Sequence, residues 1–125
     1  MQFVRVGSII FLRGFRTHQQ GFARPVHLGH SGGHRRAQIA ERFSVRLGRW
    51  HDVPVGPHPR AMFQVAILPQ VFVEFFPWLL LNRAGLTVLI HPNTGQPRAD
   101  HMERPAWLGE ILALKADVLP ETEDI

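Results

Sequence analysis

Residues 61–92 read AMFQVAILPQVFVEFFPWLLLNRAGLTVLIHP and carry the clearest structural pattern in the chain. The opening AMFQVAIL is almost wholly apolar, which predicts a strand buried on both faces. Pro69 suits the first turn of a helix that should run to about Arg83, with Pro77 kinking it or splitting it in two. The closing LTVLIHP predicts a second strand, which ends at Pro92 because proline lacks the N–H that a ladder needs.

The sequence before this stretch adds a helix and a strand. AQIAERF has a helix-forming composition and places Ile39 and Phe43 on one face. SVRLGRW alternates, which predicts a strand with Leu47 on one side and Trp50 on the other. The order helix, strand, strand, helix, strand predicts an α+β, ferredoxin-like βαββαβ sandwich that lacks only an opening strand. Residues 2–11 could supply that strand, although its connection to the helix would be unusually long.

The N-terminal part of the chain has a different texture. It is rich in Arg, Gly and His, shows no period after Phe15, and has Glu41 as the only acidic residue before residue 50. We therefore predict an atypical, basic and poorly ordered segment at residues 1–37, followed by a domain at residues 38–125. On this prediction the sheet lacks a central strand. Arginine-rich segments do contact nucleic-acid phosphates, but aromatic residues are sparse here and no recognition motif is present, so no nucleic-acid partner is expected.

Composition excludes several functional classes. The 125 residues contain no cysteine, which rules out disulfides, thiolate zinc sites and cysteine nucleophiles. No apolar run approaches the roughly 20 residues that cross a bilayer, and the N-terminal apolar stretch lacks a signal-peptide cleavage pattern. We expect a soluble, cytoplasmic protein with no membrane partner. Any metal must be held by nitrogen and oxygen ligands.

Four histidines in the regular part of the chain are the candidates for a functional site: His51, His58, His91 and His101. Prolines on both sides of His58 restrict its backbone, so its side chain loses little entropy on binding a metal or a substrate. His91 ends a predicted strand, where its side chain can turn toward a pocket. A rigid surface turn or a histidine that caps backbone groups is the alternative interpretation.

Taken together, these side chains resemble the set of two histidines and one carboxylate that holds Fe(II) with positions open for substrate and dioxygen. His58, His91 and His101 would supply the nitrogens, and Asp100 would supply the oxygen or orient a histidine. No spacing motif such as HExxH accompanies them. The alternative oxygen donors are Asp52, Glu74 and Glu103.

Three long motifs carry a resemblance to a known family. GRWHDVPVGPHPRAMFQV, PWLLLNRAGLTVLIHPNTG and DHMERPAWLG together resemble the small bacterial and fungal DOPA 4,5-dioxygenase family, over about residues 39–109. The resemblance implies a ferredoxin-like fold, a homodimer, and extradiol opening of a catechol ring by O2 at a non-haem Fe(II).

The resemblance also implies roles for particular residues. His51, His58, His91 and His101 match the family's recurring histidines and are the expected catalytic residues, with the division between iron ligands and an acid or base left open. Arginines near these motifs could hold a substrate carboxylate through a paired contact, although a solvated surface role is the alternative for each. These arginines are Arg49, Arg60 and Arg83.

One feature of the family is absent from this sequence. Family members open with a strand that carries a His-x-His-x-aromatic pattern, and spacing back from Glu41 places that pair near Gln19 and Gly21. A segment read from a shifted coding frame would account for the atypical texture before Gln38. The absence also leaves open a second function, that of a catalytically degenerate member acting as a small-molecule or metal-binding module.

Overall fold

The computed structural model describes residues 7–13, 15–17, 23–25 and 29–123. Strands alternate with helices along most of this length, as the hydrophobic pattern predicts. The strands are β1 (Gly7–Leu12), β2 (Phe15–Thr17), β3 (Ala23–Pro25), β4 (Arg46–His51), β5 (Met62–Ile67), β6 (Thr87–Pro92) and β7 (Ala106–Leu108). The helices are α1 (Gly29–Arg42), α2 (Pro69–Asn82) and α3 (Pro97–Met102), with a 3-10 turn at Ala116–Val118.

The main sheet is antiparallel and has the strand order β4-β5-β1-β6-β7. The succession β1, α1, β4, β5, α2, β6 is a βαββαβ unit, and β7 adds a fifth strand at one edge. Strands β2 and β3 pair with each other in a separate two-stranded ladder. The predicted α+β, ferredoxin-like fold is therefore confirmed.

Strand β1 corrects the expectation that the sheet lacks a central strand. It lies between β5 and β6, with the Cα atom of Gly7 paired to Ile67 on one side and Pro92 on the other. The apolar run GSIIFL is buried enough to fill this central position. The opening strand overlaps the predicted residues 2–11 and ends one residue later, at Leu12, whereas residues 2–6 fall outside the described residues. The boundary predicted between residues 37 and 38 falls inside α1.

The main core lies between the sheet and the helices. The rings of Phe11 and Phe63 stack with centroids 4.7 Å apart, and Phe75 of α2 packs against them. Ile39 of α1 is fully buried in the same cluster, as its spacing predicts. Each such side chain contributes about 1.5–3 kcal/mol through apolar burial.

Helix α2 runs without a break from Pro69 to Asn82, so Pro77 does not split it in two, and the alternative of a kink there stays a prediction. Proline at this position cannot donate a hydrogen bond to the carbonyl of Val73, four residues earlier. Both Pro77 and Val73 are exposed, so water can satisfy that carbonyl. Within the described part of the chain, no helix combines the length and the apolar character needed to span a membrane.

A β-bulge in β4 changes which face its residues occupy. The pairing with β5 shifts between Leu47 and Trp50, and both residues pack on the helix side of the sheet. The alternation in the sequence predicted opposite faces, which is wrong because the bulge inserts an extra residue. After the bulge, His51 pairs with Met62 and therefore shares the face that lies away from the helices.

A second, smaller core covers this other face of the sheet. Ile10, Leu12, Met62 and Leu89 are buried there. The segment formed by residues 109–119, here called the C-terminal strap, contributes Leu112 and Leu114 to the cover. The face that would be open in a minimal ferredoxin-like unit is thus closed at its centre, and the histidines described next lie on this side.

Candidate functional site

His91 of β6 projects from the sheet face that lies away from the helices. Its neighbours Val88 and Ile90 belong to the helix-side core, so the alternation of the strand places His91 on the other side. The ring Nδ1 lies 2.8 Å from the carbonyl oxygen of Pro92. Because a carbonyl oxygen can only accept, Nδ1 carries the hydrogen and Nε2 keeps a free lone pair. This is the tautomer of a histidine prepared to bind a metal through Nε2.

His101 has the same tautomer as His91 but lies on a different element. It lies on the short helix α3, where its Nδ1 is 2.7 Å from the carbonyl oxygen of Pro97 and donates to it. The Nε2 atom again keeps its lone pair. The rings of His91 and His101 have centroids 4.0 Å apart, so the strand end and the helix bring two imidazoles together.

His58 completes the group from the proline-rich loop. Gly56 has φ +55°, a left-handed conformation that glycine adopts without strain, and the turn is closed by the His58 N–H donating to the carbonyl of Val55 at 3.0 Å. The His58 ring is 5 % exposed, and its centroid is 5.8 Å from that of His101. Its buried Nδ1 has no hydrogen-bond partner in the described part of the chain. Such an unsatisfied buried atom is costly and is typical of a functional position.

The electrostatics of this cluster favour neutral imidazoles. Burial, followed by the charge of His101, lowers the pKa of His58 from 6.5 to about 4. Burial and His101 likewise lower the pKa of His91 to about 4. Neutral imidazole is the form that donates a lone pair to a metal, so no proton has to be displaced near pH 7.

Asp100 ties the supports of two histidines together. Its carboxylate accepts from the Thr94 backbone N–H at 2.8 Å, from the Thr94 hydroxyl at 2.9 Å, and from the Arg104 guanidinium at 2.8 Å. Thr94 lies in the turn that follows His91, whereas Asp100 immediately precedes His101. The carboxylate thereby links the end of β6 to α3. Its predicted role as a metal ligand stays a prediction.

The donor chemistry of the cluster fits a divalent iron, because three imidazoles with free or unsatisfied nitrogens converge and the sequence contains no cysteine. Among residues 7–13, 15–17, 23–25 and 29–123, however, no three His, Asp or Glu side chains are already arranged around a metal position. The other carboxylates proposed as oxygen donors, Asp52, Glu74 and Glu103, are exposed.

The other predicted site residues lie around the cluster in different ways. His51 is close enough for its charge to lower the pKa of His58. Arg60 pairs with Glu110 at 2.7 Å, and Arg83 donates to the carbonyl of Leu86 at 2.9 Å. Arg49 is exposed on β4. The role of these three arginines in substrate binding stays a prediction.

Sequence reasoning missed a polar group beside His91. Ser8, which is paired with His91 across β1 and β6, is 1 % exposed. Its hydroxyl oxygen accepts from the side-chain amides of Gln64 and Asn93, each at 2.9 Å. A single polar residue inside an otherwise apolar strand was the available signal, in GSIIFL for Ser8 and in MFQVAI for Gln64.

The fold and the convergent imidazoles together define an α+β protein of ferredoxin-like topology with a histidine site on one sheet face. The model of the Dopa 4,5-dioxygenase family matches residues 30–118, and the chain belongs to this family.

Individual relatives agree with this assignment. An uncharacterised 21.2 kDa protein of Botryotinia fuckeliana is 42% identical over 78 residues, covering 56% of this chain and 43% of that protein. The DOPA 4,5-dioxygenase of Amanita muscaria is 35% identical over 81 residues, covering 65% of this chain and 36% of that enzyme. The matches thus span less than half of each of these two relatives. A crystal structure of a candidate dioxygenase from Nostoc punctiforme superimposes with TM-score 0.78 and 36% identity, covering 92% of this chain and 90% of that one.

Proposed function

We propose that this protein is an extradiol dioxygenase that opens a catechol ring, such as that of DOPA, with O2 at a non-haem Fe(II). The observation that carries the proposal is the convergence of three imidazoles from a loop, a strand end and a helix, of which His58 and His91 are buried. The family, the Amanita muscaria DOPA 4,5-dioxygenase and the Nostoc punctiforme candidate dioxygenase support the same type of chemistry. A homodimer and a cytoplasmic location are part of the proposal.

His58, His91 and His101 would hold the iron, and the iron when bound would supply the Lewis acidity and the electron transfer that let O2 react with the ring. The Nδ1 donations of His91 and His101 to backbone carbonyls fix the orientation of both rings before any ligand arrives. His51 lies on the same sheet face and is not needed as a ligand. We assign to it the role of accepting a proton from a catechol hydroxyl.

The proposal predicts iron-dependent ring opening that requires the cluster. Anaerobic loading with Fe(II), followed by L-DOPA and air, should give the yellow absorbance of a semialdehyde. His58→Ala and His91→Ala should each lower kcat/KM by at least about a hundredfold, because each removes an iron ligand. His34→Ala is the matched control, since His34 is exposed on α1, and it should retain wild-type activity. Equal activity in all four proteins would contradict the proposal.

A second function, that of a degenerate metal- or small-molecule-binding module, is favoured by one observation. The central strand β1 contains no histidine and presents Ser8 opposite His91, whereas the family resemblance implies a His-x-His pattern on the opening strand. Under this interpretation, iron binds weakly and no ring opening follows.

Substitution of Ser8 tests this second function. Ser8→His should place a further imidazole beside His91 and tighten Co(II) binding by about a hundredfold, which is one ligand's share of a typical metal-binding free energy. Ser8→Ala is the control, because it removes the bonds to Gln64 and Asn93 without adding a ligand. Calorimetric titration with Co(II) measures both. If the wild-type protein opens the catechol ring and Ser8→His is no more active, the degenerate interpretation is excluded.

A further inference from the structure

The loop that carries His58 is attached to the C-terminal strap on the side that precedes the histidine. The backbone N–H of Lys115 donates to the carbonyl oxygen of Pro57 at 2.9 Å. Pro57 is buried and immediately precedes His58, so this bond fixes the peptide plane next to the histidine. Leu112 and Leu114 pack on the sheet and hold the strap in place for it.

The same loop is attached to the strap on the side that follows the histidine. Arg60 donates to Glu110 through two nitrogens, at 2.7 and 3.1 Å, in the paired geometry that gives the strongest ion-pair contacts. Glu110 also accepts from the Thr87 hydroxyl at 2.8 Å. The hydrogen bond from Arg60 lowers the pKa of Glu110 below its ordinary value. Glu110 therefore ties residue 60 to both the strap and the start of β6.

These two attachments matter because no side-chain hydrogen bond anchors the buried Nδ1 of His58 within the described part of the chain. The His58 Nδ1 thus differs from the Nδ1 atoms of His91 and His101, which donate to backbone carbonyls. The direction of the ring is then set by its backbone and by packing. The strap holds that backbone on both sides of the histidine.

We propose that Glu110 is a positioning residue that holds His58 in the cluster by clamping the loop through Arg60. The inference rests on the proposed function for its catalytic meaning, but the clamp itself is a property of the protein alone. Nothing in the pairing requires a bound metal. Two amides report on it: the His58 N–H, bonded to Val55, and the Lys115 N–H, bonded to Pro57.

Amide hydrogen exchange, followed by NMR on the full chain without metal, tests the clamp. Glu110→Gln removes the charge and should speed exchange of the His58 and Lys115 amides by about tenfold, the effect of losing one charge-assisted bond. Glu110→Asp keeps the charge and should recover most of the protection. Glu121→Gln is the matched control, because it breaks a different ion pair, with Arg98 at 3.1 Å. Neither partner of that ion pair belongs to the loop that carries His58. Equal exchange in Glu110→Gln and Glu121→Gln would overturn the proposal.

A second measurement connects the clamp to the site. Visible absorption of bound Co(II) should show that Glu110→Gln weakens binding by about tenfold, as loss of a supporting residue around metal ligands does, whereas Glu121→Gln leaves it unchanged. Unchanged Co(II) affinity in Glu110→Gln would overturn the positioning role. Failure of the wild-type protein to bind Co(II) would instead overturn the proposed function alone, because the exchange result still decides whether Glu110 holds the loop.

Discussion

Replacing Asp100 by alanine is expected to lower the free energy of unfolding by about 3 kcal/mol, because a nearly buried carboxylate leaves its partners unpaired. The side chain is 3% exposed and pairs with Arg104, which is 34% exposed and can regain some solvation. Thr94 would lose the acceptor for both its N–H and its hydroxyl. Urea denaturation of the metal-free protein measures the change.

The Asp100 substitution should also loosen the cluster, because it cuts the link between the turn after His91 and the helix that carries His101. Nuclear Overhauser contacts between these two rings, whose centroids are 4.0 Å apart, should weaken. Glu103→Ala is the matched control, since Glu103 is exposed at the end of the same helix. A loss of stability no larger than that of the control would show that Asp100 does not hold these elements together.

Lowering the pH from 7 to 4 is expected to remove several kcal/mol of stability from the metal-free protein. The pKa values of His58 and His91 are about 4 in the folded chain and 6.5 as the ordinary value. Above pH 6.5 both states are neutral and the two histidines favour neither. Between pH 6.5 and 4 the unfolded chain takes up protons that the folded chain does not, so stability falls with falling pH. A shift of this size corresponds to roughly 3 kcal/mol for each histidine.

The measurement is the free energy of unfolding at half-unit pH steps. A variant with His58→Gln and His91→Gln should lose most of the slope between pH 6.5 and 4, whereas His34→Gln should keep it, because His34 is exposed. The remaining slope reports carboxylates such as Glu110, whose lowered pKa acts in the same direction at lower pH. An identical slope in the double variant and the wild type would contradict the assignment to these histidines.

Much of the fold could be predicted from local patterns. The apolar run of β5, the helix beginning at Pro69 and the strand ending at Pro92 are each specified by residues within the element. The bulge of β4 could not be predicted from local patterns, because it depends on how β4 pairs with β5. In that pairing the two strands lie so close that a Cβ on Gly48 would be 3.0 Å from Gln64. Residues 2–11 could be named as a possible opening strand, but the central position of β1 could not be established, because its pairing partners are remote in sequence.

The candidate site also has parts that local sequence specifies and parts that it does not. The proline-flanked His58 and the strand-ending His91 were identifiable because local chemistry restricts each of them. The hydrogen-bond partners of Asp100 and the strap contact of Arg60 with Glu110 join segments distant in sequence, which a single sequence does not reveal. The buried Ser8 was overlooked because one hydroxyl in an apolar strand is a weak signal until its partners are known.

The central position of β1 governs the order in which the sheet can assemble. Strands β5 and β6 do not pair with each other, so without β1 the sheet is two separate ladders, β4–β5 and β6–β7. Strand β1 precedes β5 and β6 in the chain, so it must wait until β6 has been synthesised before it can join the halves. Such long-range closure slows folding. Until it occurs, both ladders present an unpaired inner edge to other chains, so the interval before β1 docks is the period when this protein is most prone to aggregation.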